Sequence, residues 1–324
     1  MNENPHRDEH SKRNPAGELH AQLRATRADF ERQLEARRLQ FEKTNEKIKQ
    51  KSGRNLLGAI GIGVALGAIL LLSLLVNKDL FMLFAAVLLG ISSVELSTAL
   101  RAMGRRVPRI PTAVTAVVAV PVAYYFGVFA AIGVAIIGVV FVSAWRALEI
   151  KRGVHAIADV SLLRDFKAAA FVQAYVTVLG SFAVALVSQP NGQWWTLAFL
   201  IIVVSVDTGA YVSGLNFGKH PMAPKISPKK TWEGFAGAGV AAIIAAVLLS
   251  MFMLGQPWWF GLILGPILLV TATLGDLGES HIKRTIGVKD MSSWLAGHGG
   301  FLDRLDSILP SALVTYVIYV LVVH

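Results

Sequence analysis

Beyond residue 54 the chain alternates long apolar runs with short polar loops. The runs fall at about 55–76, 80–100, 110–125, 127–144, 167–188, 194–213, 235–254, 257–275 and 307–323. A helix needs roughly 20 residues, and about 17 at the least, to cross the hydrocarbon core of a bilayer. The third and fourth runs are short, and Pro111, Pro121 and Gly127 leave open a single long bent helix there. Ahead of them, residues 1–18 are polar and contain proline, a composition expected to be disordered. From Leu19 to Lys51 the composition favours helix, with a thin heptad-like stripe of Leu23, Phe30, Leu34, Phe41 and Ile48. That stripe fits a short coiled coil supporting a homodimer. The simpler reading is a solvated or membrane-surface helix.

Composition sharpens the pattern. Of 324 residues 54% are hydrophobic and only 16% charged. Residues 1–54 hold 13 Lys and Arg and 9 Asp and Glu, so the remainder holds only 18 basic and 12 acidic groups. A soluble domain carries about 25% charged residues. Residues 55–324 are therefore read as a polytopic membrane domain, which excludes an ordinary soluble enzyme. With no cysteine, disulfides, thiolate nucleophiles and Cys-ligated zinc are excluded. No apolar run lies close enough to Met1 to serve as a signal peptide.

Charge placement sets the expected topology. With nine spans and residues 1–54 inside, 30 of the 31 Lys and Arg residues fall on the inner side, and only Lys78 falls outside. Eight spans would place Lys151, Arg152, Arg164 and the later basic loops on the wrong side. The outer loops SQPNGQWW and LGQPWW lack Lys and Arg and carry paired tryptophans suited to a membrane interface. The expectation is an all-α polytopic membrane protein of about nine transmembrane helices, with residues 1–54 as a cytoplasmic helical extension. It would sit in the plasma (inner) membrane, N-terminus inside and C-terminus outside. The net charge of +10 then reflects topology and a functional surface, and no nucleic-acid partner is expected.

Several polar groups need a reason. Asp207 lies within the sixth span, where a carboxylate is costly, with Gly209 and Gly214 permitting close backbone approach. It suits either a functional site or a buried pair with one lysine. Glu95 lies within two turns of Arg101 and fits a group that reaches the interface. At the end of the eighth span, Asp276, Glu279, Ser280 and Lys283 follow at i, i+3, i+4 and i+7, one helical face of a metal-and-phosphate kind.

Two loops add to this. GKHPMAPKISPKKTWEGF carries four lysines into a helix that Thr231 is placed to cap. A helix N-terminus beside lysines is an anion site, although the spacing is not that of a P-loop. In the last loop, His298-Gly299-Gly300 allows backbone to approach a ligand closely, and His298 also suits a structural role. Asp303 and Asp306 share a face there beside Arg304. Oxygen donors of this kind suit a hard divalent cation, and the Lys and Arg excess suits phosphates. Without a Ser-His-Asp pattern, in-line phosphoryl or nucleotidyl transfer fits best, because it asks for positioning and charge neutralisation. A site at the membrane face implies one soluble phosphate substrate and one lipid.

The run Ser280-x-Ile282-Lys283-Arg284-x4-Lys289-Asp290-x-Ser292-x2-Leu295-x2-His298-Gly299-Gly300-Phe301-x-Asp303-Arg304-Leu305-Asp306 resembles the signature of the phosphatidate cytidylyltransferases. So do Asp207-Thr208-Gly209-Ala210-Tyr211, Gly218-Lys219 and Ser227 through Gly234, with Gly275-Asp276-Leu277 joining the two. One departure is Ala296, where that family commonly has proline. The resemblance covers about 207–306 and implies that CTP and phosphatidic acid give CDP-diacylglycerol and pyrophosphate. It implies catalytic roles for Asp276, Asp207, Lys283, Arg284, Asp303 and Arg304. Phosphate binding would fall to Lys219, Ser227, Lys229, Lys230, Thr231, Ser280, Lys289, His298, Gly299 and Gly300. Asp207, Asp276 and Glu279 would hold Mg²⁺ or Mn²⁺, with a second cation possible in the same site, and Glu233, Asp290 and Asp306 would support them. The rival readings are a CTP-dependent polyprenol or dolichol kinase, an ion-coupled transporter, and a scaffold anchored by the basic head. The outer halves of the spans carry almost no charge, which disfavours a transporter.

Overall fold

The computed structural model describes residues 56–153, 161–288, 290–292, 294 and 299–323. The Leu23–Ile48 stripe lies outside the described residues, and so do Lys289 and His298. Helices dominate: α1 (Leu56–Val76), α2 (Lys78–Leu100), α3 (Arg109–Phe126), α4 (Val128–Lys151), α5 (Leu162–Ser188), α6 (Gly192–Phe217), α7 (Trp232–Phe252), α8 (Trp258–Ile286) and α9 (Ile308–Val323). Seven of them, α2 to α8, are long and apolar enough to cross a membrane, and two shorter apolar stretches are Gly63–Val76 and Ile308–Val323. This is an all-α polytopic membrane protein, and each apolar run read from the sequence became a helix.

The third and fourth runs form two helices. The chain breaks at Gly127, whose φ of 84° is a left-handed value that a side chain disfavours. Large side chains stand bare on the helix surfaces, Phe129 at 85% and Phe252 at 81% exposure. In water such faces would drive association; against lipid they are at home.

Small residues carry the helix contacts instead. In α6, a Cβ at Gly209 would stand 2.8 Å from Ala241 and 3.1 Å from the Ala238 backbone of α7. Helix α7 packs in turn on α8. With no hydrophobic drive between helices in lipid, this close approach gains dispersion energy. One core cluster runs through α2–α5 and the segment 286–309, and a second joins α6–α9.

Two polar ties mark one end of the bundle. Lys78 donates to the Gln189 carbonyl at 2.8 Å, and the Tyr319 hydroxyl donates to the Pro190 carbonyl at 2.9 Å. At the other end the basic loops gather. There the structure departs from an all-helical reading: Pro221–Ala223 (β1) and Ser227–Thr231 (β2) form a small antiparallel hairpin between α6 and α7.

Candidate active site

The hairpin sets the lysines. Thr231 caps α7, its Oγ1 accepting the Gly234 N–H at 3.1 Å, as the sequence suggested. Glu233, in the first turn, reaches back and accepts the N–H groups of Lys219 (3.1 Å) and His220 (3.2 Å), with the His220 ring 2.5 Å away. From the far side, the Arg284 Nε donates to the Ile226 carbonyl at 3.3 Å and ties the hairpin turn to α8. Glu233 and Arg284 thus clamp the strand that carries Lys229 and Lys230.

A cavity of about 420 Å³ opens between that strand, α6, α8 and the segment before α9. Its lining includes Asp207, Asp276, Asp303 and Asp306, faced by Lys229, Lys230 and Arg304, with Thr231 and Tyr211 at the wall. Asp207 and Asp276, 69 positions apart in the chain, therefore converge on one space. Asp306 joins them because Gly275 has no side chain: a Cβ there would collide with the Asp306 carbonyl. Burial, followed by the neighbouring Asp276 charge, raises the Asp306 carboxyl above its ordinary range.

The helical face read at the end of α8 divides. Ser280 Oγ donates to Asp276 Oδ1 at 3.3 Å, and Lys283 Nζ donates to Glu279 Oε2 at 3.0 Å, both at i,i+4. Asp276 opens into the cavity. Glu279, three residues on, is fully buried and is not part of the cavity wall. It stands behind the wall, paired with Lys283, while Asp306 joins Asp276 in the lining. Lys283 is similarly committed: it also pairs with Asp303 Oδ1 at 3.2 Å. The cation that meets Asp276 is Lys230, at 2.5 Å.

Asp303 organises the last loop. Its oxygens accept the N–H groups of Gly300 (2.7 Å) and Met291 (3.2 Å) in addition to Lys283. Burial opposes the Asp303 charge, but the Gly300 N–H, Glu279 and Lys283 outweigh it and hold the carboxyl below its usual range. Gly299 has a φ of +78°, and a Cβ there would strike the Asp303 carboxylate.

Glu95 is the residue that sequence reasoning misplaced. It does not reach the interface; it is 1% exposed. Its carboxylate accepts the Ser292 hydroxyl (2.5 Å) and the N–H groups of Phe301 (3.0 Å) and Leu302 (2.8 Å). A signal was present, an acid inside an otherwise apolar run, but its partners lie two hundred residues away.

Of the remaining expected site residues, Lys219 and Ser227 belong to the hairpin region yet do not line the cavity, and neither do Ser280, Arg284, Asp290, Gly299 and Gly300. Lys289 and His298 fall outside the described residues.

Oxygen donors fit a hard divalent cation, and the Lys230 ammonium resting on Asp276 shows that positive charge is stabilised at that point. Among the described residues no three His, Asp or Glu groups are close enough to cage an ion unaided.

Comparison with known proteins agrees with the geometry. The Cytidylyltransferase family model matches residues 58–322. The chain is 37% identical over 276 residues to the phosphatidate cytidylyltransferase of Mycobacterium bovis, covering 84% of this chain and 90% of that protein. It is 36% identical over 274 residues to the enzyme of the same name from Mycobacterium leprae, covering 82% and 88%. The phosphatidate cytidylyltransferase of Brucella suis is 38% identical over a shorter stretch of 129 residues, 40% of this chain and 47% of that one. The family match over residues 58–322, on a helical membrane bundle that ends in an acid-lined, lysine-fringed cavity, places this protein in the cytidylyltransferase family.

Proposed function

We propose that the protein transfers the CMP moiety of CTP to phosphatidic acid, giving CDP-diacylglycerol and pyrophosphate for phospholipid synthesis. The observation that carries this reading is the shared wall of Asp207, Asp276 and Asp306 with Lys229, Lys230 and Arg304. Two polyanions must meet for the reaction, so the site must neutralise both. A phosphate oxygen of phosphatidic acid attacks the α-phosphorus of CTP in line, and pyrophosphate departs. No protein nucleophile is needed, because the lipid supplies its own. Lys229, Lys230 and Arg304 offset the phosphate charges, and the Asp303 loop holds Arg304 in place at the wall. Asp207 and Asp276, with Asp306 beside them, would hold Mg²⁺ or Mn²⁺, which would supply charge neutralisation at the phosphates.

The chain is further proposed to place its N-terminus and this cavity on the cytoplasmic side of the plasma membrane, with the C-terminus outside. What supports this is the gathering of all but one of the Lys and Arg residues toward one side, Lys78 excepted.

The test is purified protein with labelled CTP, phosphatidic acid and Mg²⁺. CDP-lipid with pyrophosphate is the expected product pair. Lipid phosphate with CDP would instead indicate a kinase. Asp276→Ala and Asp207→Ala should insert normally and lose nearly all CDP-lipid formation, and a chelator should do the same to the parent chain. Parent-like turnover in either variant would remove that residue from the site.

A further inference from the structure

At the same end of the bundle as the active site, a second pair of cavities opens among α2–α5. They measure about 340 and 220 Å³ and share Arg106, Pro108 and Arg146. No residue of theirs lines the active-site cavity. The smaller is bounded by Arg101, Arg106 and Arg146 with one acid, Glu149. The larger is walled by Val142, Leu162, Leu163 and Phe166, and its surface is almost wholly apolar although arginines border it.

Arg146 is built in. It is 3% exposed, its Nε donates to Asp165 Oδ2 at 2.8 Å and its Nη1 to Glu149 Oε2 at 3.3 Å. Asp165 is fixed in turn by the Arg106 backbone N–H at 2.7 Å. Neither carboxylate takes the Arg146 Nη2 group. The Arg106 side chain is half-buried and Arg101 is exposed, and residues 101–109 contain four arginines and no acid. The three lining arginines outnumber the two acids, so the paired cavities keep net positive charge.

A soluble anion would have to leave water for an apolar wall. A phospholipid brings its own chain for that wall and a phosphate for the arginines. Leu162 and Leu163 line the larger cavity and are 51% and 62% exposed, so its apolar wall is continuous with an apolar outer surface. We propose that these cavities form a non-catalytic site for an anionic bilayer phospholipid, with its phosphate on Arg101, Arg106 and Arg146 and one acyl chain along Val142, Leu163 and Phe166.

The test measures bound lipid by native mass spectrometry of full-length protein titrated with phosphatidylglycerol, and separately with phosphatidylcholine. Arg101→Gln/Arg106→Gln should lower phosphatidylglycerol affinity at least tenfold; neither side chain carries the Asp165 contact, so the fold is spared. Ser143→Trp, which fills the larger cavity without altering charge, should do likewise. Asp276→Asn should leave the affinity unchanged. Four results would overturn the proposal: undiminished binding in both cavity variants, equal uptake of phosphatidylcholine, displacement by inorganic phosphate alone, or loss of binding in Asp276→Asn.

Discussion

Glu95 in α2 accepts the backbone N–H groups of Phe301 and Leu302, 206 and 207 residues further along the chain. One buried carboxylate thereby joins the first half of the bundle to the loop that carries Asp303, Arg304 and Asp306. A Cβ at Gly300 would come 2.9–3.1 Å from that same carboxylate, so a side chain there would press on Glu95.

Replacing Glu95 by alanine leaves two N–H groups inside the protein without acceptors. Each costs about 1–3 kcal/mol. The variant should lose roughly 3 kcal/mol of stability or more, seen as an earlier thermal unfolding in detergent, and CDP-lipid formation should fall at least tenfold. Glu95→Gln, which keeps one acceptor oxygen, should lie between the two. An unchanged melting temperature and rate in Glu95→Ala would refute the role.

Lys283 and Lys230 each meet a carboxylate but should respond differently to loss. Lys283→Met strands the fully buried Glu279 and disturbs Asp303, and breaking such a pair costs roughly 3–5 kcal/mol. Lys230 and Asp276 are each about a quarter exposed or more, so that pair is worth about 1 kcal/mol or less. Lys230→Met should therefore fold as the parent does yet show a raised KM for CTP. Thermal unfolding and steady-state kinetics on the two variants separate these outcomes.

Glu233 fastens the hairpin from a half-buried position at the surface. Glu233→Ala should leave thermal unfolding nearly unmoved while raising the KM for CTP several-fold, because Lys229 and Lys230 lose their fixed strand. His220→Ala, which removes only the ring contact and keeps both backbone N–H bonds, should have the smaller effect. Equal KM values for parent and Glu233→Ala would show that the hairpin needs no such clamp.

Every residue of the cavity wall lies between positions 206 and 307. Deleting residues 1–50 should accordingly leave most of the activity in purified protein. A well-folded but inactive truncation would assign the basic head a direct part in the reaction.

The bundle was legible because lipid imposes a length: apolar runs at 80–100 and 194–213 became α2 and α6 with ends shifted by only a few residues. Thr231 was legible for a similarly local reason, since a cap acts within one turn. The hairpin was not, because Pro and Lys in the segment 221–231 read as loop and the pairing depends on anchors at Glu233 and Arg284. The face at Asp276, Glu279, Ser280 and Lys283 was legible as a helix stripe, but its partition was not. Residues i and i+3 stand about 60° apart around the axis, enough for Asp276 to meet the cavity and Glu279 to meet the interior. The place of Asp306 in the wall depends on a contact with Gly275 that no local pattern displays.

Gly209 lies two positions after Asp207, and Gly275 immediately precedes Asp276. Each site acid is thus mounted beside a spot where main chain touches main chain or a methyl group. The backbone spacing at the two acids is consequently set by these close contacts of the scaffold. Drift at either glycine would displace the reactive centre even if every charged residue were retained, so in this protein the inheritance of chemistry includes the inheritance of two hydrogen atoms.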